Sequence, residues 1–138
     1  MAENKLKHLE FIQVVINRMD KNSFLLKGWC ITLVAGLFAL SNNNYEHTIV
    51  VYLSTPMFCL IDGYFLSQQR KFIWLYNQVR LKNNDEIDFD MDTSRCSVFR
   101  CSWLSSILST VHLIFYGAII VSTFFIIYII KNGETSIF

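Results

Sequence analysis

WLSSILSTVHLIFYGAIIVSTFFIIYII, residues 103–130, decides the fold. None of its 28 residues is Asp, Glu, Lys or Arg. A helix rises about 1.5 Å per residue, so roughly 20 largely apolar residues cross a bilayer. Working outward, residues 47–66 meet the same length, and residues 23–40 come close at 18. The spacing predicts an all-α membrane protein with three transmembrane helices. Composition agrees, since 53% of the 138 residues are apolar and 15% aromatic, too many for an ordinary water-exposed surface. One Pro and five Gly leave few breakers for long helices. A chain of this length is one domain and leaves no room for a separate soluble enzyme.

The net charge of +1 gives no reason to expect nucleic acid, and placement matters more than the sum. Lys5, Lys7, Arg18, Lys21 and Lys27 precede or open the first span. Arg70, Lys71, Arg80, Lys82, Arg95 and Arg100 lie between the second and third. The loop 41–46 has no Lys or Arg, and Lys131 alone follows the third span. The positive-inside rule therefore puts the N-terminus and residues 67–102 in the cytoplasm, with the C-terminus outside. About 22 polar and amphipathic residues precede the first span with no cleavage signal, so the mature chain is expected to begin at or near Met1.

Residues 1–22 carry an amphipathic helix. Leu9, Ile12, Ile16 and Met19 recur at helical spacing, widened by Phe11 and Val15. Asn22 or Ser23 would cap the helix that follows. Pro56 lies within the second span, which nothing stops before about residue 83. On that extension Phe72, Leu75, Tyr76 and Val79 form a second apolar stripe, and the two stripes would pair as a small cytoplasmic helical domain. Residues 84–102 are the connector, whose DEIDFDMD run (85–92) alternates like an extended segment. As a calcium loop the run fails, with Thr93 in place of Gly and Phe99 in place of Glu. Cys96 and Cys101, placed on the reducing side, are expected as thiols; without a nearby His they make a poor zinc site. No metal and no cofactor is expected.

The spans offer three candidate sites. Lys27 and Asp62 lie at matching depth, about 6–8 Å inside the cytoplasmic boundary, and their opposite charges suggest an intramembrane ion pair. They could instead line an ion path, or Lys27 could snorkel to headgroups. Ser102, Ser105, Ser109, His112 and Tyr116 recur at 3-4-3-4 spacing on one side of the third span. That stripe fits either a hydrated pore lining or a helix–helix contact. Gly28, Thr32 and Gly36 give small-residue spacing for close helix packing. His8, His47 and His112 are scattered, and neither a phosphate loop nor a carboxylate pair in a cleft occurs, so no enzyme is expected.

LEFIQVVINRMDKNSFLLKGWCITLVAGLFAL (9–40) and LIDGYFLSQQRKFIWLYNQVR (60–80) resemble the RipA-like octameric membrane protein family of small bacterial proteins. The second block departs from it at Gln69, where the family places an acid. The resemblance implies a bacterial inner-membrane protein assembling into a ring of about eight copies, with Lys27 and Asp62 inside the matching blocks. The expected function is a homo-oligomeric assembly acting as a channel or membrane-perturbing effector gated by its cytoplasmic part. The alternative is a passive scaffold for lipids or partner proteins. The expected partners are further copies of the chain and membrane lipids.

Overall fold

The computed structural model describes residues 2–40 and 46–134, and 86% of the described residues are helical, with no strand among them. Helix α1 is Ala2–Leu40, α2 is Glu46–Leu81, α3 is Trp103–Ile107 and α4 is Thr110–Glu134. Helices α1, α2 and α4 are each long and apolar enough to cross a membrane. The loop 41–46, apart from the first residue of α2, lies outside the described residues.

α1 runs unbroken for 39 residues, roughly 58 Å at helical rise, so no cap interrupts it at Asn22 or Ser23. The expected division into a surface helix and a separate span is corrected. No Gly or Pro precedes Gly28, and the Ser23 hydroxyl is drawn into side-chain bonds with Asp62 and Lys27 rather than turned back on its own backbone. α2 likewise passes through Pro56 to Leu81. Just before Pro56, the hydroxyls of Ser54 and Thr55 each donate 2.8 Å bonds to the carbonyls of Val50 and Val51.

Outside the apolar stretches, the first half of α1 packs on the last half of α2. Ile12, Ile16, Leu75 and Val79 are the buried core of that contact, flanked by Leu9, Phe72, Trp74 and Tyr76. These are largely the two stripes read from periodicity. Phe11, expected on that face, is exposed, with its ring 6.3 Å from that of Phe89. The connector straps across the pair, with Ile87 and Met91 against the same core. His8 Nε2 donates to the Asp90 carbonyl at 3.1 Å, and Lys5 donates to the Lys82 carbonyl at 2.8 Å. Phe89 holds a left-handed φ of 54°, which lays its ring 5.3 Å from that of His8. The aspartates of the run bond along the chain. Asp88, Asp90 and Asp92 accept from the amides of Asp90, Asp92 and Ser94 at 3.2, 2.8 and 2.8 Å. Those amides hold the Asp88 and Asp92 carboxyls below the ordinary range.

The segment before α4 departs from the sequence reading in two ways. Cys96 and Cys101 are joined as a disulfide, where free thiols were expected from compartment alone. The 3-10 turn Phe99–Cys101 folds the chain back and brings their Cα atoms to 6.7 Å. The third span, expected as one helix over 103–130, is broken at Leu108 and Ser109. Arg70 supplies the reason. Its Nη1 donates to the carbonyls of Arg100 at 3.0 Å and Ser105 at 3.3 Å, and to Ser106 Oγ at 3.4 Å. With the Ser105 carbonyl engaged, the Ser109 amide turns to Ser106 at 3.1 Å instead, and the ladder restarts from Ser109 to Leu113. Hydrogen bonds from a charged donor contribute about 1.5–3 kcal/mol. Arg70→Met is therefore expected to speed hydrogen exchange at the amides of Cys101 and Ser102 at least about tenfold, while those of Ile12 and Ile16 stay protected.

Candidate functional site: a buried carboxylate between three helices

Between 11% and 22% of each apolar stretch is buried within the chain, so most of its apolar side chains face outward. What the helices bury against one another is mostly small or polar: Ser23, Cys30, Thr55, Asp62, Ser106, His112 and Thr123, with Val51 and Tyr116 beside them. This is a soluble core turned inside out, as expected where lipid is the solvent.

Asp62 sits at the centre, with none of its side chain exposed. Two helices supply its partners, each at i, i+4 spacing, which stacks a pair on one face. From α1, Ser23 donates to Oδ1 and Lys27 Nζ lies 2.6 Å from Oδ2. Lys27 also donates to Ser23 Oγ at 2.7 Å, closing a small ring of three groups. From α4, Tyr116 donates to Oδ2 at 3.1 Å, and His112 Nε2 lies 3.0 Å from the same oxygen. His112 Nδ1 is 3.1 Å from Ser109 Oγ. A carboxylate taken out of water needs this many donors to remain ionised.

Gly63 is what lets α3 reach this level of α2. A Cβ built there would stand 2.5 Å from Ile107 Cγ1. The same face of α2 anchors the approach. Trp103 Nε1 donates to the Leu60 carbonyl at 3.1 Å, and Ser67 Oγ donates to the Cys101 carbonyl at 2.9 Å. Leu60, Gly63, Ser67 and Arg70 thus form a docking stripe at helical spacing. A polar cleft of about 390 Å³ opens beside the break, lined by Asp20, Lys27, Arg70, Ser109 and His112 among others.

Comparison with known proteins finds no matching family model, no similar curated protein and no similar solved structure.

The structure brings together Lys27, Asp62, Ser109, His112 and Tyr116. It leaves Ser102 and Ser105 beyond the break, half-buried, where the Ser102 carbonyl accepts from the Ser106 hydroxyl at 3.0 Å. His112 and Tyr116 are buried within the chain, so this part of the stripe is a helix contact. Gly28 and Gly36 meet nothing within 4 Å at the Cβ position, and Thr32 bonds back to the Gly28 carbonyl at 2.9 Å. That small-residue face points away from the chain's other helices. Sequence reasoning missed Ser23, cast as a cap, and the docking role of Gly63, Ser67 and Arg70. The 3-4-3 spacing of those positions was the available signal. Among the described residues, no three His, Cys, Asp or Glu side chains converge as metal ligands.

Proposed function

We propose that the chain is one subunit of a homo-oligomeric, multi-pass membrane assembly that passes ions, with the Asp62 cluster as the gate inside each protomer. The observation that carries this reading is a carboxylate with 0% exposure, held under Lys27 and His112 at the foot of a polar cleft. Ionisable groups at membrane depth are expensive and mark ion or proton pathways. Broken helices at such depth are tolerated where they line a cavity, as Ser109 does here. Gating from the cytoplasmic part follows from continuity. α1 and α2 are the same rods that form the Ile12–Leu75 core and carry Ser23, Lys27 and Asp62. A bacterial inner-membrane ring of about eight copies, with the N-terminus inside, fits the RipA-like blocks and the charge distribution.

The test is ion flux into proteoliposomes containing the purified protein. Flux above that of empty vesicles, lowered on the order of 10²-fold by Asp62→Asn, supports the gate; absence of flux for every ion tried removes it. A passive scaffold is the second reading, favoured by the outward Gly28–Gly36 face. It predicts no flux at all, together with dispersal of the oligomer by Gly28→Leu, read by native mass spectrometry.

A further inference from the structure

We propose that Asp62 exchanges a proton with the cleft through His112 and Ser109, so that the ion handled at this site is H⁺. The inference rests on the gate reading above and names its substrate. The His112 ring is 2% exposed and bridges two environments. Its Nδ1 faces Ser109 Oγ at 3.1 Å, and both residues line the cleft. Its Nε2 faces Asp62 Oδ2 at 3.0 Å. A single side chain therefore connects the polar cleft to a carboxylate with no exposure of its own.

The donor set argues for a proton over a metal cation. Ser23 occupies Oδ1, while Lys27, Tyr116 and His112 crowd Oδ2. With an ammonium already 2.6 Å from Oδ2, a metal cation would meet like charge at the carboxylate, whereas a proton has only to cross the 3.1 and 3.0 Å contacts on either side of the His112 ring. Cys30 and Cys59 are the other titratable groups near Asp62, and Asp20 and Arg70 line the cleft beside His112.

The step balances without a co-reactant. In the resting state Ser109 donates to Nδ1 and the ring carries its hydrogen on Nε2. A proton from the cleft adds to Nδ1 as the Ser109 hydroxyl rotates from donor to acceptor. The Nε2–H bond then breaks and its proton forms an O–H bond at Oδ2. The ring ends neutral with hydrogen on Nδ1, and Asp62 ends as a neutral carboxyl. Lys27 loses its counter-charge, and its ammonium, already at the cleft with a 19% exposed side chain, swings toward water. Reversal along the same ring returns the proton to the cleft, whereas net flux takes it from Oδ2 to the opposite side.

The experiment is proton uptake by proteoliposomes with a trapped pH dye under an imposed potassium diffusion potential. The wild type should acidify or alkalinise the lumen according to the sign of the potential. His112→Gln should lower that flux on the order of 10²-fold, and Ser109→Ala by a smaller factor. Flux abolished by Asp62→Asn but untouched by His112→Gln would overturn the relay and leave the gate standing. Transport of potassium or chloride without protons does the same. Absence of all flux overturns both. Because Asp62→Asn can fail to fold, infrared difference spectra of the wild type in nanodiscs provide a second readout. Acidification should yield a buried neutral carboxyl together with a change of imidazole tautomer; a buried carboxylate that stays ionised while the ring titrates overturns the proposal.

Discussion

Asp62→Ala should destabilise the protein by about 3–5 kcal/mol, the largest effect expected of any single substitution in the apolar region. The change removes the acceptor for Ser23, Lys27 and Tyr116 and leaves a cation in a site built for a pair. Lys27→Met should cost less, because Ser23, Tyr116 and His112 still face the carboxylate. The informative variant is the double one. Lys27→Met with Asp62→Leu removes both charges and fills the volume, so it should recover most of the loss. Reversible unfolding of Lys27→Met, Asp62→Leu and their double in detergent, followed by tryptophan fluorescence, gives the cycle. Simple additivity of the two changes would mean that the 2.6 Å contact contributes no coupling.

Gly63→Ala should have the second-largest effect, a loss of about 1–3 kcal/mol from overpacking. The added methyl would sit 2.5 Å from Ile107 Cγ1, so the Ile107 side chain must move or α3 must shift, while Ile107 Cα and N at 3.5 Å stay at ordinary contact distance. Displacing α3 also strains the bonds that Trp103 and Ser67 make across the same face. Ile107→Ala in the Gly63→Ala background should restore stability by making room. Gly117→Ala is the control, since its Cβ meets nothing within 4 Å, and it should be neutral or slightly stabilising through helix propensity. An equal loss at both glycines would point to a helix-wide effect instead of the α2–α3 contact.

The parts of the fold that were legible follow from two periodicities. Uninterrupted apolar length marks a span, and recurrence at three and four residues marks a buried face. Ile12, Ile16, Leu75 and Val79 were readable in this way because one side of each amphipathic helix has a single place to go. Lys27 and Asp62 were readable because a charge at membrane depth needs a partner, and matching depth named it. The interruption at Leu108 and Ser109 was not readable. Its cause is a guanidinium from residue 70, and no local propensity at Leu108 or Ser109 announces a carbonyl captured from another helix. The Cys96–Cys101 pairing escaped for a related reason: an argument from compartment says nothing of a turn that brings two sulfurs together.

The sequence by itself determined that this is an all-helical chain with three stretches able to cross a membrane, and which residues pair α1 with α2 beyond them. Those properties depend on the order of apolar and polar side chains along one helix at a time. Tertiary structure alone decided that Ser109, His112 and Tyr116 of the stripe turn inward, that Asp62 takes four partners rather than one, and that the third stretch is broken beside a polar cleft. Each of these depends on where side chains from different helices meet. Hydrogen-bond reach is about 3 Å, a scale that periodicity along a single helix does not carry.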